Sequence, residues 1–197
     1  MGKEKVSSAA HPMVCFSEYN IDELEYKTIS YGRYGISFSD EWVLKNKIHP
    51  VLYIEKESTV AKALAKLLRS RQNSNSSILP YDLRLPIMTL KCFTKNTVGT
   101  NSFLHKKDFN FREEFEWRFV PEKKDIDYVL ISMNKSDYLM DKDRYNEKLK
   151  QYPLKFNFND IEKIFVTTED ELETICTTYN IERKKISISN WKYNKTE

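Results

Sequence analysis

Residues 109–121, FNFREEFEWRFVP, constrain the fold of this chain more than any other stretch. Over residues 115–120 aromatic side chains alternate with Glu116 and Arg118, and a period of two belongs to a β-strand whose successive side chains point to opposite faces. Such a strand has one aromatic and one charged face, so it requires a sheet backed by a core, and Pro121 stops it. The simpler reading is an aromatic core face with a cross-strand ion-pair surface opposite. The functional reading places a carboxylate and a fixed cation on one face of a cleft, where both meet a polar ligand. In that reading Glu116 is the candidate catalytic residue and Arg118 a candidate ligand-binding residue.

A chain of 197 residues, 40% hydrophobic and 13% aromatic, can bury a core around such a strand. The expectation is a single domain over residues 1–197, with flexible ends at about 1–11 and 192–197 and a polar surface loop at 72–77. Short apolar runs predict strands at 13–16, 34–38, 51–54, 87–93, 128–131, 154–158, 161–167 and 186–191, the first of them buried. Helices are expected after the N-caps Asn20, Ser39 and Ser58, over 136–152, and over 169–179, where Thr168 and Glu171 form a capping box. Residues 96–110 show no period and read as a long loop, a candidate partner-binding surface. Helices do not alternate strictly with strands, so the class is α+β, a mixed and mostly antiparallel sheet with several short helices packed on it.

Composition removes several functions. Lys and Arg number 32 against 29 Asp and Glu, a net charge of +3, which is no strong basic excess. Nucleic acid therefore stands as a partner class only through aromatics interleaved with cations over residues 103–112. Three widely spaced cysteines, each in an apolar run, read as buried thiols in a reducing compartment. No stretch approaches the roughly 20 apolar residues of a membrane span, so the expected location is the cytoplasm, with no membrane partner. The histidines and cysteines lack ligand spacing, so no metal site is expected. Phosphate-binding glycine loops and a serine-nucleophile motif are absent, and Cys15 with His11 four residues away on one extended run makes a poor nucleophile and base. A second cluster, Tyr31, Arg33 and Tyr34 around Gly32, offers rings and a cation for ligand binding, though tyrosines exposed in a turn are the plainer account.

Three blocks carry a family resemblance: PMVCFSE at 12–18, YGRYGISFSDEW with HPVLYI at 31–54, and FREEFEWRFVP at 111–121. Together they resemble the AbiGi family, the antitoxin component of an abortive-infection phage-resistance system. The resemblance spans about residues 12–121; the C-terminal third matches only in its rhythm of short strands and one capped helix. It implies bacterial antiviral defence with a protein partner, a cognate toxin or a phage component; members of the family carry a further His-bearing strand ahead of PMVCF, and this chain departs from them there, with only eleven residues before Pro12 and that His unmatched. More loosely, the family is similar to ADP-ribosyltransferase-like domains, which implies, as the alternative to an antitoxin, an NAD-dependent transferase or a degenerate relative of one. Glu116 would then stabilise the developing oxocarbenium, Tyr31 and Tyr34 would stack, and Arg33 or Arg118 would meet the pyrophosphate.

Overall fold

The computed structural model describes residues 8–29, 31–72, 79–101, 104–128 and 132–193. In chain order its elements are β1 (Ala9–Ala10), β2 (Val14–Ser17), β3 (Thr28–Ile29), β4 (Gly35–Phe38), α1 (Asp40–Lys45), β5 (His49–Pro50), β6 (Leu52–Ile54), α2 (Thr59–Gln72), α3 (Tyr81–Cys92), β7 (Thr94–Asn96), β8 (Val98–Asn101), β9 (Lys106–Asn110), β10 (Glu116–Phe119), β11 (Met133–Asn134), α4 (Lys135–Met140), α5 (Lys142–Glu147), β12 (Ile161–Val166), α6 (Glu169–Tyr179), β13 (Ile186–Ile188) and β14 (Lys192–Tyr193). The class is α+β. The strands divide among small sheets of two and three, in which antiparallel pairings outnumber parallel ones.

The chain gathers into two compact units. The first comprises Met1–Ser17, His49–Asn101 and Lys106–Pro153. At its centre β10 pairs antiparallel with β2 on one side and β5 on the other, setting Arg118 opposite both Cys15 and His49. Strands β6 and β7 run parallel, with Tyr53 beside Lys95. Helices α2 and α3 close their own apolar cluster of Leu68, Leu79, Ile87 and Met88, with Leu64 against it. Ser58 caps α2 by accepting the Ala61 N–H at 3.1 Å.

The second unit comprises Glu18–Ile48, Ser102–His105 and Leu154–Glu197. Its sheet orders β13, β12 and β4, and α6 packs Leu172 against Val166 and Ile186. A further core joins Leu24, Phe165 and Trp191. The expected caps form: Asn20 opens a 3-10 turn, Ser39 opens α1, and Thr168 with Glu171 closes a capping box on α6.

Several expectations are corrected. Residues 87–93 are not a strand but the end of α3, because Arg84, Ile87, Met88 and Lys91 share one inward face at helical spacing and a short apolar run does not reveal its period. Of residues 96–110, expected as a loop, the described ones include a hairpin pair: β8 and β9 run antiparallel, with a register shift between Gly99 and Asn101 and β9 mostly exposed, so no alternation marks them. The helix over 136–152 breaks at Asp141, whose non-helical backbone, φ −150 and ψ 67, ends α4 and whose carboxylate caps α5 through the Arg144 N–H at 3.2 Å. Residues 154–158 form no strand. Strand β2 is an exposed sheet edge, with Val14 42% exposed, and not a buried run. Of the expected strand at 128–131, residues 129–131 lie outside the described residues, as do 73–78 of the polar loop and the extreme ends, 1–7 and 194–197.

The faces of β10 are also the reverse of the simpler reading. Glu116 and Arg118 are 6% and 9% exposed, while Trp117 and Phe119 are only half-buried. Charge turns inward here because Glu116 and Arg118 pair with each other and each also meets a group from a neighbouring element, the Lys95 ammonium and the Cys92 carbonyl.

Candidate functional site

The buried charges of the first unit form one network. Glu116 accepts from Arg118 Nε through Oε1 at 2.7 Å and from Lys95 Nζ through Oε2 at 2.7 Å. The Lys95 ammonium also pairs with Glu114, whose other oxygen accepts from Asn101 Nδ2 at 3.5 Å. Arg118 Nη1 donates to the Cys92 carbonyl at the C-terminal end of α3, where the helix dipole favours a cation. Two carboxylates thus face two cations.

Local backbone aims these groups. Residues 111–114 form a 3-10 turn that ends on Phe115 in the left-handed region, φ 44 and ψ 47, a conformation that costs a non-glycine residue roughly 1–2 kcal/mol. That reversal turns Glu114 and Glu116 towards the same ammonium and leaves Phe115 50% exposed. Tyr53 on β6 fixes the start of β10 by accepting the Glu116 N–H through its hydroxyl at 2.9 Å, and Val51 N–H donates to the Glu116 carbonyl at 2.9 Å. Lys95 Nζ lies 4.4 Å from the centroid of the Phe111 ring, a cation–π contact. Gly99 makes room for that ring, since a Cβ at this position would stand 3.1 Å from Phe111 Cε2.

Proton affinities follow from this packing. Burial alone would raise the Glu116 carboxyl, but the hydrogen bonds from Arg118, Lys95 and Cys15 outweigh it and hold it below its ordinary value. Burial would lower Lys95, and its bonds to Glu114 and Glu116 raise it instead. Cys15 is exposed on the β2 edge and Cys176 half-buried, so of the three expected buried thiols only Cys92 is buried; partial desolvation nonetheless pushes the Cys15 thiol up to about 11, helped by its hydrogen bond to Glu116 and the charge there, with Arg118 opposing. A thiol held so firmly protonated is a poor nucleophile.

Of the five residues expected at a site, the structure brings Glu116 and Arg118 together in the first unit. Tyr31, Arg33 and Tyr34 belong to the second. There the Tyr34 hydroxyl donates to Glu171 Oε1 at 2.7 Å, joining the cap of α6, and Arg33 Nη2 donates to the Ser189 carbonyl at 3.4 Å. Tyr31 is 59% exposed. Gly32 takes φ +129, open to glycine, and its carbonyl accepts Trp191 Nε1–H at 2.8 Å. Sequence reasoning missed Lys95, Glu114, Tyr53 and Asn101. Glu114 sits in the same charged motif, where two acids flanking a lone aromatic were a usable signal; Lys95 arrives through the β6–β7 pairing and left none.

Two cavities share no residue with this network. One of about 150 Å³ in the first unit is lined by residues including His11, Met133, Tyr138 and Tyr145. One of about 250 Å³ in the second is lined by residues including Trp42, Lys45, Lys155 and Phe156. Among the described residues no group of three or more His, Cys, Asp or Glu side chains could hold a metal ion, and no helix is long and apolar enough to cross a membrane.

Residues 1–167 match the family model described as "Putative abortive phage resistance protein AbiGi, antitoxin". The chain belongs to the AbiGi family. The AbiGi match extends past the three sequence blocks at both ends and takes in every residue of the charged network, but stops before α6. Among curated proteins, the chain is similar to the "Abortive phage resistance protein AbiGi" of Lactococcus lactis subsp. cremoris, 21% identical over 176 residues, covering 79% of this chain and 71% of that protein. No solved structure matches it. The likeness to ADP-ribosyltransferase-like domains is accordingly without support from any comparison.

Proposed function

We propose that this member of a phage-defence family acts as an antitoxin: it binds a protein partner and restrains it, and the buried network serves as the scaffold that holds the binding surface. The observation that carries this reading is the commitment of Glu116. Its carboxylate accepts from Arg118, Lys95 and Cys15, leaving little of its accepting capacity for a substrate hydroxyl, in a position only 6% exposed. A carboxylate that stabilises a developing cation must face the reacting atoms, and this one faces two fixed cations of its own fold. The description of the matching family as an antitoxin supports the same reading.

The test is made in the host that encodes the chain. Depleting it should arrest growth, and restoring it from an inducible promoter should lift the arrest, whereas expression of the chain alone in a host without the partner should be harmless. Arrest caused by the chain alone would mark it as the toxic component and end the antitoxin reading.

A further inference from the structure

The near balance of charge over the whole chain hides a local excess. Residues 59–92 contain six of the 32 Lys and Arg and a single acid, Asp82, so the remainder is slightly acidic. On α2 the side chains sort into three stripes at helical spacing. Ala61, Leu64, Ala65 and Leu68 turn inward; Lys62, Lys66 and Arg69 lie exposed; Val60, Ala63 and Leu67 lie exposed beside them. Val60 is 54% and Leu67 40% exposed, and neither Lys62, Lys66 nor Arg69 enters an ion pair among the described residues. At the end of the helix the Arg71 Nε is buried with no acceptor among the described residues. Nearby Lys91 sits below the ordinary lysine value, through burial first and with the Arg71 charge adding to it.

Cations without counter-charges next to an uncovered apolar stripe make one half of a helix-on-helix interface. We propose that the exposed side of α2 docks an acidic amphipathic helix of the partner protein, with Asp or Glu on Lys62, Lys66 and Arg69 and aliphatic side chains on Val60, Ala63 and Leu67. This rests on the partner-binding reading above and adds the chemistry of the partner. The stripes run from Val60 to Arg69, about 14 Å at the α-helical rise, which matches roughly three turns of a bound helix. A nucleic acid would use the cations and leave Val60 and Leu67 in water. A lipid surface calls for bulky aromatic anchors, and this stripe has none.

The probe is a fluorescent synthetic helix of about five turns with Glu on one stripe and Leu on the next, titrated with the full chain by anisotropy beside a peptide of the same composition in scrambled order. The striped peptide should bind at least about tenfold tighter than the scrambled one. The variants K62E/K66E/R69E and V60S/L67S should each weaken it by at least about tenfold while their melting curves stay near that of the parent, because all five positions are exposed. Equal binding of the scrambled peptide would overturn the proposal. So would tighter binding of a single-stranded RNA or of phosphatidylserine vesicles that V60S/L67S leaves intact. In the growth test both variants should fail to lift the arrest. If the parent chain lifts it and both variants do too, the docking surface is wrong and the antitoxin reading stands; if the parent itself fails, that reading falls and the peptide titration alone decides the surface.

Discussion

At the scale of single residues, the charges of the Glu116 network are buried yet matched. Removing the Glu116 charge leaves Arg118 and Lys95 with one fewer counter-charge in a desolvated place, and breaking a buried pair from one side costs roughly 3–5 kcal/mol. Glu116→Gln should therefore lower the chemical-denaturation midpoint by a shift corresponding to several kcal/mol, and an unchanged midpoint would mean the network is not what the geometry shows. The pH dependence has a definite sign. Because the folded carboxyl of Glu116 lies below its unfolded value, its contribution is complete above the unfolded carboxylate range and is lost as pH falls through the folded value. Lys95 and Cys15 are both raised on folding, so the folded state binds more protons at high pH, and stability should decline as pH climbs from about 9, the ordinary thiol value, towards the raised value of about 11. Melts across acid, neutral and alkaline buffers should trace a plateau with two falling limbs, and the acid limb should flatten in Glu116→Gln.

At the scale of elements, the network depends on close packing between β8 and the turn at 111–114. Alanine at Gly99 would press its Cβ on Phe111, a ring already held edge-on by Phe109 at 5.2 Å and capped by Lys95. Gly99→Ala should cost about 1–3 kcal/mol as an overpacked contact, and Phe111→Leu should relieve part of it; a double-mutant cycle with no coupling would refute that contact. The same elements show what was legible in the sequence. The period of two in residues 115–120 placed Glu116 and Arg118 on one strand face, and the caps at Asn20, Ser39, Ser58 and Thr168 located four helix or turn starts because each acts within four residues. The direction of that face was not legible, since alternation is the same whichever side is buried. Lys95, which decides it, is nineteen residues from Glu114 along the chain and meets it through the parallel β6–β7 pair and the left-handed step at Phe115, neither of which a local pattern encodes. Helix α3 was hidden for a related reason: its inward face mixes Arg84 and Lys91 with Ile87 and Met88, so hydropathy alone loses the period.

At the scale of the whole molecule, membership of a phage-defence family joins a chain whose most conspicuous motif faces inward and whose α2 presents unmatched cations outward. A scaffold and a surface make different demands on mutation: the first is read in stability, the second in binding. The most direct measurement is the ability of Glu116→Gln to lift growth arrest in the host depleted of the parent chain, assayed at a temperature where circular dichroism shows the variant folded. Protection equal to that of the parent is the predicted result, because the carboxylate only holds the scaffold; loss of protection by a demonstrably folded Glu116→Gln chain would contradict the account and return Glu116 to the chemistry of an active site.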